Sequence, residues 1–146
     1  MAETNEKIRL RDQLCFPIYL CAKEITRKYT GLLDRYGLTY TQYIVMMFFW
    51  EKKTSNVKEL GETLMLDPST LTPLLKKLEA KGYISRSRSS SDERNLSITL
   101  TDEGTALEEK VLPIHDTMCC CIGLDEGEAK TLYSLIFKIL GNINKS

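Results

Sequence analysis

The sequence predicts a mainly α-helical chain with one small β-hairpin, an α+β fold in which helices come before and after the hairpin. Two observations lead to this prediction. Apolar residues recur every three or four positions through most of the 146 residues, which is the period of an amphipathic helix. Between Tyr83 and Leu100 the period changes to two around a polar turn, which is the period of paired strands.

Length and composition are those of one ordinary globular domain. A chain of 146 residues with 42% hydrophobic and 27% charged residues has enough apolar side chains for a single core. The longest apolar run, Tyr43–Trp50, is shorter than the roughly 20 residues of a membrane span. The polar start Met1–Lys7 is unlike a secretory signal. We therefore expect a cytoplasmic protein with no membrane partner.

The charge and the cysteine content of the chain limit the classes of function that the sequence allows. The net charge is zero, so nucleic-acid binding would need a local basic patch, and six basic against three acidic residues lie between Lys76 and Arg94. Five cysteines, an odd number, do not form the framework of a secreted disulfide-rich domain. Adjacent cysteines on a helix point in different directions and His115 is the only histidine, so we expect no metal and no cofactor.

Both ends of the chain carry long apolar stripes on predicted helices. The first stripe consists of Leu14, Ile18, Cys21, Ile25 and Leu32. The later stripes consist of Leu107, Val111, Ile114 and Met118, and then of Leu132, Leu135, Ile136, Ile139 and Ile143 behind a capping box at Asp125 and Glu128. Stripes of this length need a partner helix, and Cys21 has a structural role within the first.

The middle of the chain predicts three capped helices. Thr39 and Gln42 form a capping box in front of a very apolar helix that ends at Trp50, and a polar break covers Lys52–Asn56. Asn56 caps a short helix. Asp67 then caps a helix that begins with proline and buries Leu71, Leu74, Leu75 and Leu78.

A winged helix-turn-helix has the same order of elements: two helices joined by a tight turn, and then a hairpin. Its second helix enters the major groove of DNA. Lysine, arginine, serine and threonine side chains contact phosphates and base edges. The candidate DNA-binding residues on the helix and the first strand are Ser69, Thr70, Thr72, Pro73, Lys76, Lys77, Arg86 and Arg88. From the pattern alone, a merely solvated helix face is an equally good interpretation.

Three motifs in this order resemble the MarR (multiple-antibiotic-resistance regulator) family. The recognition helix and the strand after it are similar to Leu66–Glu79 with Gly82–Ile84. The wing motif is similar to Asp92–Arg94, and the start of the next helix is similar to Leu100–Gly104. The resemblance covers essentially the whole chain. It implies that Arg94 enters the minor groove and that Asp92 orients it.

The same resemblance implies a homodimer that binds a palindromic operator in double-stranded DNA. One domain would span 1–146, with dimerisation helices in 1–38 and 102–146 and a winged helix-turn-helix DNA-binding part in 39–101. Half-sites should then lie about 34–36 Å apart, one turn of DNA.

The N-terminal motif resembles the organic-hydroperoxide-sensing branch of that family. The residues concerned are Asp12–Phe16, Tyr19, Tyr29 and Leu38–Tyr43. The branch implies a repressor that leaves its operator when peroxide oxidises Cys15 to a sulfenic acid, with Tyr19, Tyr29 and Tyr40 around the thiol. Tyr29 lies about 21 Å from Cys15 along a straight helix, so it could take part only from the second subunit.

Two details of this predicted sensor stay open. Cys119, Cys120 or Cys121 could resolve the oxidised thiol as an intersubunit disulfide, a low-molecular-weight thiol could form a mixed disulfide, or these cysteines could only fill space. Pro17 inside the helix would clash with the carbonyl of Gln13, at a cost of about 3 kcal/mol, or kink the chain.

Two other functions fit parts of the same sequence. A regulator of the same fold could release DNA on binding a phenolic ligand, and Cys15 would then be inert. A thiol peroxidase would need rapid turnover with a reductant, and the sequence contains no hydrolase, P-loop or dinucleotide-binding motif. We therefore expect a regulator that is not an enzyme, and loss of the peroxide response in Cys15→Ser separates it from the ligand-responsive alternative.

Overall fold

The computed structural model describes residues 8–88 and 96–145. Across these residues the α-helices are α1 (Cys15–Leu33), α2 (Tyr40–Lys52), α3 (Val57–Leu64), α4 (Pro68–Ala80), α5 (Asp102–Ile122) and α6 (Glu126–Ile143). The strands are β1 (Thr54–Asn56), β2 (Ile84–Arg88) and β3 (Leu96–Leu100). The chain divides into two compact units, 1–112 and 113–146. No helix within the described part is long and apolar enough to cross a membrane.

The core of the first unit is built around α2. This helix is apolar on nearly every side, and Val45, Met46 and Phe49 have no solvent exposure. A helix that is hydrophobic all round is stable only when other elements cover it. Leu60 of α3, Leu71 and Leu78 of α4 and Ile98 of β3 are equally inaccessible. The very apolar helix that the sequence predicts after Thr39 is therefore the centre of this core.

The helix starts follow the predicted caps. Thr39 and Gln42 form a reciprocal capping box, in which the Gln42 N–H donates to the Thr39 hydroxyl at 3.2 Å and the Thr39 N–H to the Gln42 side chain at 3.0 Å. Asn56 accepts the Glu59 N–H at 2.8 Å at the start of α3. Such caps involve residues three apart, so the sequence alone could place them.

The sheet has three antiparallel strands in the order β1-β3-β2. The predicted hairpin is present as β2 and β3, with Ile84 opposite Leu100. The prediction of a polar break over Lys52–Asn56 was wrong at its end, because Thr54–Asn56 forms β1 against β3. Three polar residues have no period of their own, and they become a strand only because a distant segment supplies the hydrogen-bonding partner.

The predicted clash at Pro17 does not occur. Helix α1 begins at Cys15, which places Pro17 in its first turn, where the missing N–H has no helical partner to lose. Gln13 is extended, with φ −93° and ψ 112°, so its carbonyl lies outside the helix. The first bond of the helix runs from the Ile18 N–H to the Leu14 carbonyl at 3.4 Å.

Candidate functional site

Helices α3 and α4 meet at a tight turn. Met65 has a left-handed backbone, with φ 55° and ψ 42°, and the Leu66 N–H donates to the Gly61 carbonyl at 3.0 Å. A Cβ at Gly61 would lie 2.9 Å from the Leu66 carbonyl oxygen, so glycine permits this close approach. The pair is therefore the helix-turn-helix that the sequence predicted.

Six of the predicted DNA-binding residues lie on the outer face of α4. Leu71, Leu74, Leu75 and Leu78 are buried on the inner side. The residues exposed to solvent are Ser69, Thr70, Thr72, Pro73, Lys76 and Lys77. Two ammonium groups and three hydroxyls thus share one exposed helical surface, which suits contact with phosphates and base edges.

Hydrogen bonds at Asp67 fix the start of this helix. Its carboxylate accepts the hydroxyl of Ser69 and the N–H of Thr70, the latter at 3.1 Å. The Thr72 hydroxyl donates to the Pro68 carbonyl at 2.9 Å. The bond from the Ser69 hydroxyl and then that from the Thr70 N–H hold the pKa of the Asp67 carboxyl below its ordinary value of 3.8.

This cap gives a pH-dependent prediction. Because the pKa of Asp67 is lowered on folding, its carboxylate stabilises the protein above the unfolded pKa, and this contribution is lost as the pH falls through the folded pKa. Asp67→Ala should lower the urea midpoint at pH 7, and Asp67→Asn, which keeps an acceptor oxygen, should lower it less. Urea unfolding at pH 7 and at pH 3 measures both effects. A wild-type advantage over Asp67→Asn that is larger at pH 3 would contradict the prediction.

The arginines of β2 have different surroundings. Arg86 pairs with Glu79 at the end of α4, with 2.9 Å between its Nη2 and the Glu79 Oε1, and only 19% of its side chain is exposed. Arg88, two residues further on, is exposed. The sequence could not separate these two basic residues, because the partner of Arg86 comes from another element. The predicted wing-tip residues Asp92 and Arg94 lie outside the described residues.

At the N-terminal end, Cys15 is the first residue of α1 and is exposed. Tyr19, one turn later, is 62% exposed. Cys21, predicted to be structural, is also exposed in the single chain.

Three tyrosines cluster where α1 meets α2. The Tyr29 ring stacks on Tyr40, with centroids 4.6 Å apart, and lies 5.6 Å from Tyr43. The structure thus brings together Tyr29 and Tyr40, and it adds Tyr43, which belongs to the Leu38–Tyr43 motif but was not predicted to lie near the thiol. The signal for Tyr43 was its place three residues after Tyr40 on the same helix.

Burial raises the pKa of the Tyr40 and Tyr43 phenols, and for Tyr43 the Tyr40 charge adds to the effect. Both phenols therefore stay protonated at neutral pH and can donate hydrogen bonds. Tyr29 lies about 21 Å along α1 from Cys15, so these two residues are separated within one chain.

The three adjacent cysteines end α5 in the second unit and are all exposed. Cys119 differs from Cys120 and Cys121 because its Sγ lies 3.6 Å from the His115 Nε2, one turn earlier. Within residues 8–88 and 96–145, no three or more histidine, cysteine or acidic side chains are arranged to hold a metal ion.

Comparison with known proteins agrees with this architecture. The family model described as "Transcriptional regulator SarA/Rot" matches residues 27–111. The organic hydroperoxide resistance transcriptional regulator of Bacillus subtilis (strain 168) is 39% identical over 145 residues, covering 99% of each chain. The HTH-type transcriptional regulator SarZ of Staphylococcus aureus (strain USA300) is 46% identical over 127 residues, covering 87% of this chain and 86% of its own.

Solved structures give the same result. AbfR of Staphylococcus epidermidis is similar with a TM-score of 0.80 and 34% identity, covering 94% of this chain and 95% of its own. Reduced AbfR bound to DNA has a TM-score of 0.76 and 35% identity, covering 92% of this chain and 94% of its own. This chain therefore has the predicted winged helix-turn-helix fold and belongs to the SarA/Rot family of transcriptional regulators, in the MarR-like group that includes organic-hydroperoxide regulators.

Proposed function

We propose that this protein is a homodimeric, DNA-binding repressor that leaves its operator when an organic hydroperoxide oxidises Cys15. One observation carries the proposal: an exposed cysteine begins α1 in a chain 39% identical, over 99% of its length, to an organic hydroperoxide resistance regulator. The solved AbfR forms include reduced protein on DNA, overoxidised protein on DNA and a disulfide form.

The DNA-binding part occupies residues 39–101 in this proposal, and 1–38 with 102–146 supply the dimerisation helices. The outer face of α4 enters the major groove, where Ser69, Thr70, Thr72 and Pro73 meet base edges and the sugar-phosphate backbone. Lys76, Lys77 and Arg88 neutralise phosphates. Arg94, oriented by Asp92, enters the minor groove.

The sensing step is a two-electron oxidation of a thiol. The Cys15 thiolate attacks the terminal, proton-bearing oxygen of the hydroperoxide. An S–O bond forms, the O–O bond breaks, and the alkoxide leaves and takes up a proton from solvent to become an alcohol. The product is a Cys15 sulfenic acid. Phenols of Tyr19 and, from the second subunit, Tyr29 and Tyr40 act as hydrogen-bond donors near this sulfur.

The sulfenic acid is resolved by a second thiol, with loss of its hydroxyl as water. The candidates are Cys119, Cys120 or Cys121 of the other subunit, or a low-molecular-weight thiol as a mixed disulfide. The protein is a sensor and not an enzyme in this proposal, because each Cys15 reacts once before a reductant of the cytoplasm restores it.

The deciding experiment compares wild type with Cys15→Ser, using a duplex that reduced wild-type protein selects from a random-sequence pool. Stoichiometric cumene hydroperoxide should weaken wild-type binding to this selected duplex about tenfold or more, a cost of about 1.4 kcal/mol, and dithiothreitol should restore it. Cys15→Ser should bind equally with and without peroxide. Cys21→Ser, the matched control on the same helix, should respond like wild type.

Equal binding by wild type before and after peroxide would reject the Cys15 sensor and favour a ligand-responsive regulator. Continuous consumption of peroxide with a reductant would instead revive the peroxidase alternative. Failure to select any duplex would reject the DNA-binding function itself.

A further inference from the structure

We propose that Arg86 is a positioning residue that holds the β2–β3 hairpin against α4 through Glu79, so that its guanidinium stays within the protein when DNA is bound. This rests on the DNA-binding function proposed above. It assigns Arg86 a different role from the phosphate contact expected from its charge and place in the sequence.

The geometry of the Arg86–Glu79 pair supports this role. One carboxylate binds both parts of the same residue: Glu79 Oε1 accepts the guanidinium Nη2 at 2.9 Å, and Glu79 Oε2 accepts the backbone N–H of Arg86 at 3.0 Å. Arg86 lies opposite Ile98 in the ladder, and Ile98 has no solvent exposure. The pair therefore joins the end of α4 to the middle of the hairpin over a buried part of the sheet.

The Arg86 charge is already neutralised. The side-chain bond from Arg86 is the main reason that the pKa of Glu79 lies below its usual range, so Glu79 is an anion at neutral pH. The Arg86 Nε is buried and has no acceptor in the described part of the chain. A DNA phosphate would have to displace a carboxylate already at bonding distance, and draw out a side chain that is only 19% exposed.

Arg88 differs from Arg86 in its exposure to solvent. It lies two residues after Arg86, on the same side of β2, and its side chain is exposed.

A partly buried ion pair such as Arg86–Glu79 adds little to stability but can fix one geometry among several. Because α4 and the hairpin would contact different grooves, their relative placement decides whether both can bind at once.

The test measures affinity for the selected duplex as a function of salt concentration for Glu79→Gln, Arg86→Gln, their double variant and Arg88→Gln. Positioning predicts that Glu79→Gln and Arg86→Gln each weaken binding about tenfold with an unchanged salt slope, and that the double variant is no weaker than either single variant. Arg88→Gln, as matched control, should reduce the slope by about 0.9 for each phosphate that residue 88 no longer neutralises.

A phosphate contact by Arg86 predicts the opposite pattern. Arg86→Gln would then reduce the slope as Arg88→Gln does, and Glu79→Gln would strengthen binding because it removes a negative charge and releases the arginine. If either single variant does not fold, Arg86→Lys decides: positioning predicts weaker binding, since an ammonium cannot replace the planar guanidinium, whereas full affinity would overturn the proposal. Failure of the wild type to bind would instead refute the proposed function.

Discussion

Alanine in place of Gly104 is expected to lower the free energy of unfolding by about 3 kcal/mol or more, the upper range for an overpacked core. Gly104 is buried near the start of α5. A Cβ there would lie 2.1 Å from the Tyr83 carbonyl oxygen and 2.7 Å from the Leu100 Cδ1. Backbone cannot move aside as a flexible side chain can, so α5 would have to shift.

Such a shift would break the bonds that join this helix start to the core. The Trp50 Nε1 donates to the Gly104 carbonyl at 2.8 Å, and the Thr101 N–H donates to the Tyr83 carbonyl at 3.2 Å. A buried indole N–H left without its acceptor adds a further penalty. The destabilisation should therefore exceed that of one added methyl group in a yielding core.

Gly31 offers a matched control within α1, an exposed glycine whose added Cβ meets no atom within 4 Å. Gly31→Ala should stabilise the protein by up to about 1 kcal/mol, because alanine is the better helix former. Urea unfolding of both variants gives the two free energies. A Gly104→Ala protein as stable as wild type would show that the close approach of Tyr83 to α5 is not required.

Local patterns explain why so much of the fold could be predicted. The helix caps at Thr39, Asn56 and Asp67 depend on residues three positions away. The apolar stripes depend on side chains that recur every three to four residues. Strand β1 was missed because its partner is β3, far along the chain. Sequence spacing carries no information about such a partner.

In the candidate site, too, features within one helix could be predicted and features that join two elements could not. The exposed residues of α4 could be predicted because a single helix sets which side chains share a face. The low exposure of Arg86 could not, because its partner Glu79 comes from another element. The contact between Tyr29 and Tyr40 also joins two helices, and only the family resemblance pointed to both residues.

A charged residue in the apolar stripe of α6 should separate the proposed dimer and, with it, abolish tight DNA binding. The stripe leaves large side chains in solvent in the single chain: Leu132 is 45% exposed, Leu135 53% and Ile136 38%. Contiguous exposed apolar surface of this kind marks an interface. Ile136→Glu would place a carboxylate there, and burying an unpaired charge between two helices is strongly unfavourable.

The weaker DNA binding follows from the two half-sites. Two recognition helices on one dimer bind a palindrome as a single event, whereas a monomer has only one, and the avidity should fall by about a hundredfold or more. Light scattering after size-exclusion chromatography gives the mass, and titration of the selected duplex gives the affinity. Ser134→Glu adds the same charge on the polar side of α6 and should leave both unchanged. A monomeric Ile136→Glu protein with wild-type affinity would mean that one α4 is enough for binding, and the operator would then need no palindrome.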